Sequence, residues 1–123
     1  MKTIHTKHAP AAIGPYSQAV RTGDLIFLSG QIGIAPEKGT LISSDLKEQA
    51  EQVCQNIKAI LKKAGLSMEN VIKTTCFLTN MDNFSLFNEV YAQHFVSKPA
   101  RSCVAVTALP AGALCEIEVI AVK

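Results

Sequence analysis

Arg101 stands at the first position of a predicted strand, directly after Lys98-Pro99-Ala100. A planar guanidinium there can grip a carboxylate through two charge-assisted hydrogen bonds, each contributing about 1.5 to 3 kcal/mol. That is enough to orient a small acid. Taken alone, an arginine in this place is more often a surface or interface ion-pair residue. Glu116 and Glu118 share one phase of the last predicted strand, set between Cys115, Ile117 and Val119. Either carboxylate alone reads first as a solvent-facing residue. If one lines a cleft instead, partial loss of water raises its pKa and suits it to general acid and base work. Spacing does not choose between them.

Cys103 shares the strand phase of Arg101, so both side chains point to the same side. A nucleophilic thiol needs a base and a thiolate-stabilising environment, and no histidine is placed to supply one. Cys103 therefore reads as a wall of a site, with its backbone amide free for a ligand oxygen. Tyr16, within Gly14-Pro15-Tyr16-Ser17-Gln18, is either an aromatic anchor or a cleft lining with a hydroxyl to offer. Ser29-Gly30-Gln31 could present a hydroxyl and a backbone amide to an anion, or be an ordinary strand end. Asn88 flanks an apolar helical stripe, with solvent exposure as its default. His5, His8 and His94 lack ligand spacing, and the four cysteines include no Cys-x-x-Cys pair. No metal site is assigned.

The elements that must carry these residues follow from periodicity and punctuation. Pro10, Gly14 and Pro15 break regular structure, so the first 20 residues read as a docking arm or loop. Leu25 to Leu28 is a short apolar run and reads as a buried strand. Gly30 and Gly33 then permit a bulge or close backbone approach, and Pro36 to Gly39 a surface turn. A helix begins near Ser43 to Asp45, with Asp45 and Glu48 at capping-box spacing, and ends at Gly65. Leu46, Ala50, Val53, Cys54, Ile57, Leu61 and Ala64 form its buried stripe. Val71 to Thr79 reads as a strand. A second helix runs from about Asp82 towards Phe95, with Phe84, Phe87, Tyr91 and Phe95 at helical spacing. Arg101 to Val106 and Glu116 to Val122 read as two further strands.

The fold class is therefore α+β, a mixed sheet with both helices on one face. At 123 residues with 48% hydrophobic composition the chain makes one domain, 1–123, with a real core. Strands such as Val119 to Val122 carry apolar residues in both phases, so the face without helices needs a cover as well. Identical subunits in cyclic symmetry would provide it, with clefts between them. Net charge is only +2, and the basic residues are scattered along the chain, which disfavours nucleic acid. No segment has the length of a secretory signal or a membrane span. A reducing, cytoplasmic setting suits the cysteines.

Taken together, Gly14-Pro15-Tyr16-Ser17-Gln18, Ser29-Gly30-Gln31, Asn88-Glu89-Val90-Tyr91, Pro99-Ala100-Arg101-Ser102-Cys103-Val104 and Glu116-Ile117-Glu118 resemble the reactive intermediate deaminase family, RidA or YjgF. The resemblance spans nearly the whole chain, and the order and spacing of the segments make it specific. It implies a homotrimer of chorismate-mutase-like α+β subunits with clefts at the interfaces. These would hydrolyse 2-imino acids and their enamines to 2-keto acids and ammonia without a cofactor. In that frame Arg101 is the carboxylate-binding residue and Glu116 the acid that activates or positions water. Tyr16, Ser29, Gly30, Asn88 and Cys103 match positions that line or contact the ligand. A trimer that binds keto or imino acids and regulates a partner without turnover is the rival expectation. RNA cleavage and chaperone-like holding, also linked to the family, rank last for want of a basic patch or exposed apolar stripe in the sequence.

Overall fold

The computed structural model describes residues 1–123. In chain order it contains strands β1 (Lys2–Ile4), β2 (Ala19–Thr22), β3 (Leu25–Gln31), β4 (Ile34–Ala35) and β5 (Thr40–Leu41), then helix α1 (Leu46–Lys63). Strand β6 (Val71–Leu78), helix α2 (Phe84–His94), β7 (Ala100–Ala105) and β8 (Cys115–Val122) follow. Six strands form one sheet in the order β1-β2-β3-β8-β6-β7, and β4 and β5 pair as a small hairpin beside it. Every neighbouring pair is antiparallel except β6 and β7. That parallel pair needs a crossover, and α2 provides it.

The expected helices form for the expected reasons. Asp45 caps α1, its carboxylate accepting the Glu48 amide at 3.0 Å, and Gly65 stands beyond the helix end at a φ of +78°. Leu46, Ala50, Val53, Cys54, Ile57 and Leu61 are buried, joined by Ile60, while Ala64 is half-buried. They meet one phase of the sheet: Ile26 and Leu28 of β3, Val71, Cys76 and Leu78 of β6, and Cys115, Ile117, Val119 and Ala121 of β8. Phe87, Val90 and Phe95 add α2 and its end to the same core. The other phase holds Leu25, Phe27, Phe77, Val104 and Ile120, exposed or half-buried on a face that no helix covers. No helix is long and apolar enough to cross a membrane.

Two stretches differ from expectation. The N-terminus is not irregular throughout, because β1 and β2 pair in register from Lys2↔Arg21 to Ile4↔Ala19; a strand of three residues has too little local pattern to be legible, and its pairing is what forms it. Helix α2 starts at Phe84 rather than Asp82. The Asn80 side chain accepts the Asp82 amide at 2.9 Å and sets a single 3₁₀ turn, Met81–Asn83, ahead of it.

Three buried amides tie the connecting segments to this frame. Gln18, 2% exposed, donates to the carbonyls of Thr6, Ala9 and Pro10 and accepts the Thr6 amide at 2.7 Å. Gln49 of α1 accepts the Leu114 amide at 2.8 Å, just before β8, and donates to the Ser43 carbonyl. Asn56, one further stretch along α1, donates to the carbonyls of Ile32 and Ile34. Gly33 lets that segment close onto the helix, since a Cβ there would meet the Gln49 Cα at 2.8 Å. Replacing Asn56 by Leu keeps the branching with a bulkier side chain, strips the donor from the Ile34 carbonyl and leaves the Ile32 carbonyl with the Ile34 amide alone, and should cost about 1–3 kcal/mol. Urea unfolding should show a lower midpoint with an unchanged slope; an unchanged midpoint would refute the role.

Candidate functional site

Arg101 lies on the helix-covered face of β7, in register with the fully buried Thr74 of β6. Its Nη1 donates to Asn88 Oδ1 at 2.8 Å, and its guanidinium carbon sits 4.7 Å from the centre of the Tyr91 ring and 5.5 Å from that of Phe84. Helix α2 therefore supplies all three braces, at spacings of three to four residues that put Phe84, Asn88 and Tyr91 on one face. Tyr91 is itself held, its hydroxyl 2.7 Å from Thr74 Oγ1. Burial pushes the Tyr91 phenol up, with the Thr74 hydrogen bond acting against it. Cys103, half-buried, follows Arg101 in the same phase. A cleft of about 470 Å³, lined by Tyr91, Phe95, Val96 and Pro99, opens beside the guanidinium.

A second group gathers on the opposite side of the sheet. Glu116 alternates with the buried Cys115 and Ile117, so its half-buried side chain faces away from the helices. The β3–β8 pairing shifts register between Leu28 and Gln31, and Gly30 in that irregularity lets the Glu116 carboxyl approach. A Cβ on Gly30 would lie 2.8 Å from its carboxyl carbon and closer still to Oε2. Burial, and then the neighbouring charge of Glu118, raise the Glu116 pKa above the usual carboxylate value. Tyr16, 54% exposed, joins Glu116, Gly30, Gln31 and Pro110 around a cavity of about 260 Å³. Ser29 stands behind it: its hydroxyl donates to the Ser17 carbonyl at 2.6 Å and fixes the arm.

The residues read from sequence thus separate into two sets within one chain. Arg101, Asn88 and Cys103 share the helix side, whereas Glu116, Gly30 and Tyr16, with Ser29 behind them, share the open side. Tyr91, Phe84 and Thr74 were not singled out as site residues; the aromatic pair carries a helical period that reads as core, and Thr74 only a strand period. Glu118 is exposed. The thiols are poor nucleophiles here. Burial pushes Cys76 and Cys115 up to about 12, and it also raises Cys103, with the Arg101 charge opposing.

A mixed sheet layered with two helices, with a braced cation on one face and a half-buried carboxylate on the other, defines the α+β class expected above. The pattern of the family described as Endoribonuclease L-PSP matches residues 6–123, and the chain belongs to this family, the RidA or YjgF family. It is 48% identical over 123 residues to the 2-iminobutanoate/2-iminopropanoate deaminase of Mus musculus, covering 99% of this chain and 91% of that one. It is 50% identical over 122 residues to the putative regulator AldR of Lactococcus lactis, covering 98% and 97%. The solved structure of E. coli TdcF with bound serine superposes with a TM-score of 0.95 at 45% identity, over 100% of this chain and 99% of that one.

The Tyr91 brace can be tested without any ligand. In a Tyr16→Phe background one phenol remains, since the chain has two tyrosines. Changing Thr74 to Val then removes a hydrogen bond that favours the phenolate, so ultraviolet titration should place Tyr91 ionisation at higher pH. No movement would show that the Thr74 contact does not hold the ring.

Proposed function

We propose that this chain, as a single domain, hydrolyses small 2-imino acids and their enamine tautomers to 2-keto acids and ammonia. The observation that carries the reading is the state of Arg101. Its guanidinium is braced by a neutral amide oxygen and two ring faces, while the chain's one ion pair is His94 with Glu51. A partly buried guanidinium with no acid of its own calls for an anion, and a small carboxylate fits its fork. The names of the relatives supply the reaction: the mouse protein is called a deaminase of 2-imino acids, and TdcF was solved with serine bound. The AldR name favours a regulatory reading as the alternative.

The chemistry asks little beyond positioning. Arg101 would fix the carboxylate, with the Cys103 and Gly30 amides directed at the ligand and Tyr16 closing the cleft. Glu116 as carboxylate takes a proton from water, which adds to the imine carbon. The imine nitrogen takes up the proton that Glu116 received, giving the neutral carbinolamine; Glu116 then accepts the hydroxyl proton and passes it to the nitrogen as the C–N bond breaks, releasing the 2-keto acid and ammonia. Acid and base help of this sort contributes about a hundredfold to ten-thousandfold, and orientation adds to it.

One chain cannot present both groups to one ligand, because they lie on opposite faces. Copies joined around a cyclic axis could set the Arg101 edge of one against the Glu116 cavity of the next, covering Leu25, Phe27, Phe77, Val104 and Ile120 as they do so. We therefore favour a homotrimer, with four free thiols that suit the cytoplasm.

A coupled assay tests the activity: a dehydratase acting on serine or threonine should release ammonia and keto acid faster when this protein is added. No acceleration would leave the regulatory reading. Arg101→Ala and Glu116→Gln should each lose about a hundredfold or more. Mixed by refolding, the two variants should recover about a quarter of wild-type activity, because random pairing rebuilds one complete cleft in four. Recovery of nothing would place each site within one chain.

The pH profile follows from Glu116. The base must be ionised, so acceleration is lost as pH falls through its raised pKa, and the acid limb lies above that of an ordinary exposed glutamate. Glu118→Gln removes the like charge, and the limb should move to lower pH. A limb that stays put would exclude Glu116 as the titrating base.

A further inference from the structure

Basic residues that are scattered along the chain converge in space. Lys58, Lys62 and Lys63 of α1 line the largest cavity of the molecule, about 670 Å³, together with Gln55 and with Thr6 and His8 of the arm. Lys63 also borders a neighbouring cleft that contains Lys2 and Arg21. Sequence spacing hides this surface, because it is assembled from β1, the arm, β2 and α1.

The charge is only partly offset: Glu69 borders an adjoining cleft that Lys58 and Lys62 also line, and Lys58, against the effect of burial, adds from a distance to the Gln55 and His94 hydrogen bonds that lower the Glu51 pKa. No acid lines the cavity, and none of these lysines takes part in an ion pair. Glu51, one helical turn before Gln55, is occupied: Gln55 Nε2 donates to it at 2.7 Å and His94 Nε2 lies 2.8 Å away. Lys58 and Lys62, one turn apart on the same helix, repel each other. The opposite wall is already in place, since the buried Gln18 side chain bonds to Thr6, Ala9 and Pro10. A preformed concave wall and three unpaired ammonium groups are conditions for capturing an anion without reorganising the protein.

The lining also narrows the ligand. The volume falls within the range of small-molecule sites, about 300–1,000 Å³. Ala59 is its one apolar residue, and the exposed His8 imidazole is its one ring, a smaller stacking platform for a nucleobase than a Phe, Tyr or Trp face. The cations are lysines, separate point charges that can spread over several oxygens of a linked phosphate chain, whereas the planar fork of arginine grips one carboxylate or phosphate group bidentately. We infer that this cavity binds a small oligophosphate, a molecule carrying two or three linked phosphate groups. It lies on the helix side of the sheet, on the opposite side from the Glu116 cavity and the open apolar face. The inference therefore stands independently of imine hydrolysis.

Calorimetric titration of the assembled protein with inorganic tripolyphosphate at low ionic strength tests it. Saturable binding, one equivalent per chain and weaker with added salt, is expected. Lys58→Gln and Lys62→Gln should each weaken it about tenfold. Lys47→Gln, the same charge loss elsewhere on α1, should change it little. Absence of saturable binding, or equal weakening by Lys47→Gln, would overturn the site. Citrate bound as tightly as tripolyphosphate would overturn the phosphate assignment. A single-stranded oligoribonucleotide bound more tightly, with affinity rising with length, would replace the small ligand with nucleic acid.

Discussion

Side chains on a strand alternate between two faces, and pairing with fixed neighbours removes any freedom to choose. Arg101 is in register with Thr74, and Glu116 with Phe77. Thr74 is fully buried towards the helices, whereas Phe77 belongs to the uncovered phase. The cation is therefore committed to the side where α2 can brace it, and the acid to the side where the arm can enclose it. A slip of β7 by one residue would turn Arg101 outward and present Ser102 to α2, so Asn88 and Tyr91 would have nothing to hold. The division of the candidate site into two half-sites is a consequence of sheet geometry, and an intermolecular cleft is the simplest way to reunite them.

Sheet register places the strands, but the segments between them carry Tyr16, Gly30 and the approach to Glu116. Buried amides place these. Gln18 gathers the arm, Gln49 takes the amide of Leu114 at the entry to β8, and Asn56 holds the carbonyls that follow Gly30. Each amide replaces water for backbone groups that have no strand partner, which is why three polar side chains sit among apolar ones. The arrangement couples α1 to the Glu116 cavity although no residue of α1 lines it.

Much of this was legible in the residues and some was not. The α1 stripe and its cap read directly, because an 18-residue helix repeats its pattern several times. The two-phase apolar strands announced a second apolar face, and neither helix covers it. Arg101 and Cys103 were legible as one-sided through strand phase alone. What escaped depends on contacts between distant segments: the β1–β2 pairing, the buried roles of Gln18, Gln49 and Asn56, and the convergence of Lys58, Lys62 and Lys63 with the arm. Tyr91 escaped for a different reason. Its spacing suits core packing, and only the partly exposed ring against Arg101 reveals its second use. The choice between Glu116 and Glu118 lay beyond strand phase; the Gly30 irregularity decides which carboxyl is enclosed.

Chemical economy follows from what the two half-sites contain. Thiolate chemistry is disfavoured, since burial raises the pKa of Cys76, Cys115 and Cys103 alike. What remains is a fixed cation, a carboxylate less acidic than usual, and backbone amides. Such a set can hold an anion and move a proton, but it holds no activated side-chain nucleophile. A substrate that is already electrophilic needs none, because water suffices once it is placed and partly deprotonated. The pairing of modest groups with a reactive imine carbon is the reason the proposed chemistry fits this chain.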